Sequence, residues 1–104
     1  MKNALIICAA GMSSSLVAKK ASEYFEKNDE EIHVDATTIS KAPDIIDEDK
    51  YDLYLVSPQA KMTFDNMKKR ADALNKPITN IPPQAYVPIP MGIEKLAKLV
   101  KENL

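Results

Sequence analysis

Residues 4–15 have the sequence ALIICAAGMSSS, in which an unbroken apolar run leads through a cysteine and a glycine into three serines. A short run without polar residues is typical of a strand covered on both faces of a parallel sheet. The apolar residues that follow recur at helical spacing: Val17, Ala21, Tyr24 and Phe25. They predict a helix over residues 14–27. The stretch therefore predicts a strand that turns directly into a helix, as at the start of an α/β fold.

The rest of the chain repeats this alternation. Further strands are predicted at 32–36, 53–56 and 78–81, and a short helix with proline in its first turn at 41–48. A third helix is predicted from the apolar positions Met62, Phe64, Met67, Ala71 and Leu74. A fourth, over 91–103, is predicted to bury Ile93, Leu96, Ala97, Val100 and Leu104. The order β-α-β-α-β-α-β-α favours a flavodoxin-like α/β fold, a four-stranded parallel sheet of strand order 2-1-3-4 with helices on both faces.

Length and charge narrow the classes of function. A chain of 104 residues predicts one domain over residues 1–104. Its 14 basic and 15 acidic residues are interspersed, which argues against nucleic acid or a membrane surface as partner. The longest apolar run is far shorter than the roughly 18 residues of a membrane helix. The single cysteine cannot form an internal disulfide, so we expect a cytoplasmic protein.

Cys8 is the candidate functional residue. It ends the first predicted strand, and ligands of parallel α/β sheets bind beyond the carboxyl ends of the strands. A following helix N-terminus offers unpaired N–H groups and a positive dipole end, which attract anions and lower the pKa of a thiol. Gly11 allows a tight turn, and the serines at 13–15 are candidate N-caps. The competing interpretation is a buried cysteine that acts as a small hydrophobe.

Three functions remain open for such a thiol: a phosphoryl carrier, a cysteine phosphatase and a non-catalytic anion-binding module. A phosphatase of the low-molecular-weight class needs an arginine six residues after its nucleophile, where this chain has Ser14. The Asp-Pro pair that such enzymes use as general acid is also missing from the sequence. No nucleotide-binding motif or metal-ligand spacing is present, so neither a cofactor nor a metal is expected. His33, the only histidine, is predicted to lie on the surface.

The motif of residues 8–15, together with Ser57-Pro58-Gln59 after the third strand, resembles the enzyme IIB component of the lactose/cellobiose class of the bacterial phosphoenolpyruvate-dependent sugar phosphotransferase system. The resemblance implies that Cys8 accepts a phosphoryl group from a phosphohistidine of enzyme IIA. Cys8 would then pass it to a sugar of the β-glucoside/cellobiose or lactose type, bound by the membrane component, enzyme IIC.

The resemblance also implies the residues that surround the phosphate. The backbone amides that would cradle it belong to Ala9, Ala10, Gly11, Met12, Ser13, Ser14 and Ser15. Pro58 and Gln59 would form one wall of the site, and the proline-rich segment 82–90 another. Met12 would contact both protein partners.

Overall fold

Strands and helices alternate along the chain. The structure, a computed structural model, describes the backbone of residues 1–9 and 11–104 and the side chains of residues 1–9 and 14–104. The strands are β1 (Lys2–Cys8), β2 (Ile32–Thr38), β3 (Leu53–Val56) and β4 (Ile78–Asn80). The α-helices are α1 (Gly11–Lys27), α2 (Ala42–Asp47), α3 (Phe64–Ala73) and α4 (Pro90–Asn103). Short 3₁₀ turns cover Pro58–Thr63 and Pro83–Ala85.

The four strands form one parallel sheet in the order β2-β1-β3-β4, which confirms the predicted fold class and strand order. In the central strand β1, Ile6 pairs with Ala36 of β2 and with Leu55 of β3. Because all strands run the same way, their carboxyl ends meet at one edge of the sheet. We call this the carboxyl edge, and Cys8 lies on it.

The core has two layers because side chains alternate along each strand. Ala4, Ile6 and Cys8 face one layer, which also contains side chains of α1 and α4 such as Phe25 and Leu96. Leu5 and Ile7 face the other layer with side chains of α2 and α3: Ala42, Ile46, Met67 and Ala71. The cysteine sulfur is therefore on the α1/α4 side of the sheet.

Ser22 of α1 joins this helix to the outer edge of β2. Its hydroxyl donates a hydrogen bond to the carbonyl of Val34 at 3.1 Å and accepts one from the N–H of the same residue at 2.9 Å. Backbone polar groups removed from water need partners, and one serine here provides both. The contact fixes α1 against β2, the strand next to β1.

The helix after β1 begins earlier than predicted. α1 starts at Gly11, so the serines at 13–15 lie inside its first turns and are not N-cap residues. A helix of 17 residues is held mainly by its packing against the sheet, which allows weak helix formers in the first turn. The segment predicted as a phosphate loop is therefore largely the N-terminus of a helix.

Two predicted core residues are exposed. Met62 is 95% exposed because it lies in the 3₁₀ turn, where three residues per turn replace the 3.6 of the predicted helix. Leu104 follows the last turn of α4 and is 42% exposed. The other residues predicted for the buried face of α4 are buried. Among the described residues, no helix combines the length and the apolar character needed to cross a bilayer.

Candidate functional site

Cys8 is fixed by hydrogen bonds from both neighbouring strands. Its carbonyl accepts a bond from the N–H of Ile39 at 2.9 Å, and the carbonyl of Ile7 accepts one from the N–H of Ser57, also at 2.9 Å. The side chain is buried, with 2% of the residue exposed. α1 begins three residues later in the sequence, and a helix N-terminus offers unpaired N–H groups and the positive end of the helix dipole. The thiol therefore has a defined position at the carboxyl edge.

Tyr86 contacts this thiol from the loop after β4. Its hydroxyl donates a hydrogen bond to Cys8 Sγ at 3.2 Å, and both side chains are buried. The 3₁₀ turn Pro83–Ala85 positions the tyrosine, whose N–H donates to the carbonyl of Pro83 at 3.1 Å. Sequence reasoning singled out segment 82–90 but not Tyr86. The available signal was a buried aromatic residue with one polar atom, in a loop that follows the carboxyl end of β4.

Gly92 holds the loop of Tyr86 against α4. A Cβ at this position would lie 2.3 Å from the carbonyl oxygen of Val87, the residue after Tyr86. Only glycine allows the helix to approach the loop backbone so closely. The N–H of Ile93 also donates to the carbonyl of Ile89 at 2.9 Å, which continues the helix from the end of the loop.

Ser57 places a second hydroxyl beside Cys8. It follows β3 directly, is fully buried, and its Oγ has no hydrogen-bond partner among the residues that the structure describes. Pro58, half-buried, and Gln59, exposed, come next in the 3₁₀ turn at the same edge. Sequence reasoning placed Ser57 at the end of the third strand and used it in the motif Ser57-Pro58-Gln59, but gave its hydroxyl no role.

The other predicted phosphate-binding residues lie around the start of α1. Ala9 is exposed between β1 and α1, Ser14 is buried and Ser15 is exposed. Ala10 and the side chains of Gly11, Met12 and Ser13 are outside the described part of the structure. Their roles, and those of Pro58 and Gln59, stay predictions.

The charge distribution bears on whether the site hydrolyses phosphate. Arg70, the only arginine of the sequence, belongs to α3 and bonds Asp47 of α2 at 2.8 Å. These helices pack on the face of the sheet opposite the sulfur. The guanidinium that a cysteine phosphatase uses against its transition state is thus engaged elsewhere.

His33 is an exposed residue of β2, as predicted. Its Nε2 lies 2.8 Å from Asp35 Oδ1, and Asp35 Oδ2 accepts a hydrogen bond from the Tyr51 hydroxyl at 2.9 Å. Burial, and next the bond to the Asp35 carboxylate, raise the pKa of Tyr51 to about 12. Burial also raises the pKa of the neighbouring Tyr54. This group bears on stability at high pH, and Asp35 pairs with Leu5 of β1, three residues before Cys8.

The carboxyl edge exposes several large apolar side chains. They lie in the first half of α1, in the 3₁₀ turn after β3, in the segment before α4 and in the first turn of α4: Leu16, Met62, Val87, Ile89 and Met91. Clustered exposed apolar residues mark surfaces that contact other proteins. The segments that leave the sheet at the edge of Cys8 therefore carry exposed apolar residues, which are candidates for contact with other proteins.

Comparison with solved structures agrees with this fold. The lactose-specific IIB component domain of the phosphoenolpyruvate:carbohydrate phosphotransferase system (PTS) from Streptococcus pneumoniae matches with a TM-score of 0.84 at 22% identity, over 98% of this chain and 96% of that one. The cellobiose-specific phosphotransferase IIB component protein from Borrelia burgdorferi matches with a TM-score of 0.74 at 22% identity, over 98% and 90%. At this identity the likeness concerns the fold.

Sequence comparison identifies the family. The curated oligo-beta-mannoside-specific EIIB component of the PTS system from Bacillus subtilis (strain 168) is 35% identical over 86 residues, which are 83% of this chain and 82% of that protein. The family described as "PTS system, Lactose/Cellobiose specific IIB subunit" matches residues 3–102. The chain therefore belongs to the lactose/cellobiose-specific IIB family, whose members are components of the sugar phosphotransferase system.

Proposed function

We propose that this protein is a cysteine phosphocarrier of sugar uptake. Cys8 accepts a phosphoryl group from a phosphohistidine of enzyme IIA and transfers it to a sugar bound by membrane enzyme IIC. The observation that carries the proposal is the hydrogen bond of 3.2 Å from Tyr86 to Cys8 Sγ, at a sulfur three residues before the start of α1. A hydroxyl donor and a helix N-terminus both favour the thiolate, which is the nucleophilic form.

The reaction consists of two in-line displacements at phosphorus. In the first, the Cys8 thiolate forms a P–S bond while the P–N bond of the phosphohistidine breaks and the imidazole keeps the electron pair. In the second, a sugar hydroxyl oxygen attacks, the P–S bond breaks, and the electron pair returns to sulfur. The sugar proton passes to a base on the acceptor side. Positioning and charge stabilisation supply the catalysis in such transfers.

Tyr86 acts on the sulfur in both displacements. Its O–H donates to the thiolate as the thiolate attacks, and donates again as the thiolate leaves. The phosphoryl oxygens are held by backbone amides of the predicted segment 9–15, which includes the first N–H groups of α1. Pro58 and Gln59 border the site. No cofactor or metal takes part beyond the phosphoryl group on Cys8.

The exposed apolar residues of the carboxyl edge support the proposed partners. Both partners must bring their reacting atom to Cys8, so enzymes IIA and IIC dock in turn on this surface. A single domain over residues 1–104, working in the cytoplasm, is sufficient for the carrier. It meets the membrane only through enzyme IIC.

The names of the relatives support one class of sugar as the acceptor. Lactose, cellobiose and oligo-β-mannosides, which their names mention, are all β-linked oligosaccharides. A β-linked disaccharide or short oligosaccharide is accordingly the proposed acceptor, held by enzyme IIC.

Phosphoryl transfer can be tested directly. Wild-type protein, incubated with phosphoenolpyruvate and the upstream carriers including enzyme IIA, should gain the mass of one phosphoryl group, and Cys8→Ser should gain none. Rapid hydrolysis of an aryl phosphate without a lasting phosphoprotein would instead identify a phosphatase. If the protein neither gains a phosphoryl group nor hydrolyses the aryl phosphate, only the anion-binding module remains.

A further inference from the structure

The Ser57 hydroxyl lacks the hydrogen bond that its position would normally give it. Ser57 is the N-cap residue of the 3₁₀ turn Pro58–Thr63, yet its side chain makes no capping bond. The residue is fully buried, and Oγ has no partner among the described residues. Among the described residues this buried hydroxyl is therefore unsatisfied, which disfavours the folded state unless a further group supplies the bond.

The sheet register places this hydroxyl next to the sulfur. Val56 pairs with Ile7, so the following residues, Ser57 and Cys8, are neighbours across the strands. Leu55 shares the α1/α4 layer with Ile6, and by alternation Ser57 shares it with Cys8. Neighbouring strands are about 4.8 Å apart, so the two side chains stand side by side. A group attached to sulfur would lie within reach of Oγ.

Tyr86 approaches the same space from the other side of β3. β3 lies between β1 and β4, so the segment from β4 to Tyr86 passes the carboxyl end of β3 before it reaches Cys8. Ser57 occupies that end. Tyr86 already donates to the sulfur, whereas the hydroxyl of Ser57 remains available.

We propose that Ser57 Oγ donates a hydrogen bond to a phosphoryl oxygen of phosphorylated Cys8, an inference that rests on the proposed function. When the P–S bond replaces the P–N bond, the sulfur carries a phosphoryl group whose three oxygens share its negative charge. Ser57 keeps its proton and forms no covalent bond. Its hydroxyl is satisfied only in the phosphorylated protein, so it stabilises the phosphocysteine selectively. Ser57 is then a phosphate-contacting residue specific to the loaded carrier.

The test compares Ser57→Ala with wild type, both in the unmodified protein and in the protein phosphorylated on Cys8. Ser40→Ala is the matched control, since Ser40 is exposed and its hydroxyl bonds only the hydroxyl of the half-buried Thr38 among the described contacts. In the unmodified protein, Ser57→Ala should be as heat-stable as wild type or more stable, because the variant removes an unsatisfied group. After loading from phosphoenolpyruvate, its equilibrium constant for taking phosphate from enzyme IIA should fall about tenfold, as expected for a lost bond to a charged group. Intact mass measures the loaded fraction.

Each result decides between the proposals. If wild type is loaded and Ser57→Ala reaches the same equilibrium, the role of Ser57 is refuted while the carrier function stands. If Ser57→Ala destabilises both states equally, the hydroxyl is structural and the inference also fails. If wild type takes up no phosphate, the proposed function itself is wrong. Opposite effects of Ser57→Ala on the two states would establish the contact.

Discussion

The hydroxyl of Tyr86 donates a hydrogen bond to the sulfur of Cys8 at 3.2 Å, although 78 residues separate the two in sequence. Tyr86→Phe keeps the ring and removes only the donor. Bonds to a charged group contribute about 1.5–3 kcal/mol, so phosphoryl transfer should slow about tenfold or more. Alkylation of Cys8 at neutral pH should slow as well, because the thiolate is less favoured.

Rapid-quench transfer assays and iodoacetamide labelling measure these two effects. Tyr24→Phe serves as the control, because Tyr24 lies on α1 and contacts Phe25 edge-on. If Tyr86→Phe transfers phosphate and reacts with iodoacetamide as wild type does, the hydrogen bond has no part in catalysis.

Gly92→Ala should destabilise the protein, although the same change inside a helix usually stabilises by about 1 kcal/mol. The new Cβ would be 2.3 Å from the Val87 carbonyl oxygen, so the helix or the loop must move. Overpacking of this kind costs about 1–3 kcal/mol in the free energy of unfolding. Urea unfolding measures the loss, and Glu94→Ala, an exposed position of the same helix, is the control. Stabilisation by Gly92→Ala would show that the loop is not held by this contact.

The raised pKa of Tyr51 predicts that the folded protein loses stability at alkaline pH. Its pKa is 10.0 in the unfolded chain and about 12 in the folded protein, mainly because of burial and then of Asp35. The raised value means that the unfolded state ionises first. The contribution of Tyr51 to the free energy of unfolding is therefore complete below pH 10.0 and is lost as the pH rises toward about 12. Tyr51→Phe should flatten this part of the curve, as measured by urea unfolding at successive pH values.

Asp35→Asn supplies the control for Tyr51. This variant leaves Tyr51 buried, and burial is the larger cause of its raised pKa. It removes only the Asp35 carboxylate, so the loss of stability at alkaline pH should become smaller but should not disappear. An unchanged slope in Tyr51→Phe would assign the effect to another group, with Tyr54 the next candidate.

Met62→Lys should weaken docking of the phosphoryl donor. Met62 is the most exposed apolar residue of the carboxyl edge, at 95% exposure. If it packs against enzyme IIA, a charge there should cost about 1 kcal/mol or more, or at least about fivefold in kcat/KM for the donor. Leu104→Lys is the control, because α4 runs away from the carboxyl edge and Leu104 is at its far end. Equal donor kinetics in both variants would exclude Met62 from the interface.

Local patterns in the sequence determined most of the fold. The short apolar runs at β1 and β3 are typical of strands in a sheet covered on both faces, and the helical periodicity of α4 predicted its buried face. The start of α1 was missed because glycine and serine are weak helix formers, and packing on the sheet overrides their preference. Met62 was misplaced because a 3₁₀ turn has a different period.

Cys8 was singled out from its sequence context and its role stays a prediction, whereas its hydroxyl neighbours were not given a role. The contact with Tyr86 depends on how a proline-rich segment passes the end of β3, and no local pattern records that path. The position of Ser57 depends on strand register, which emerges only when β1 and β3 pair.

The hydrogen bonds of Ser22 to Val34 also bear on the behaviour of many copies of the protein in a crowded cell. β2 is an outer strand of seven residues, and such a strand presents backbone groups on which another chain can add a strand. Ser22 occupies one donor and one acceptor near the middle of this strand, which interrupts the row that an incoming strand would need. One hydroxyl on a helix thereby disfavours association of two copies through the outer edge of β2.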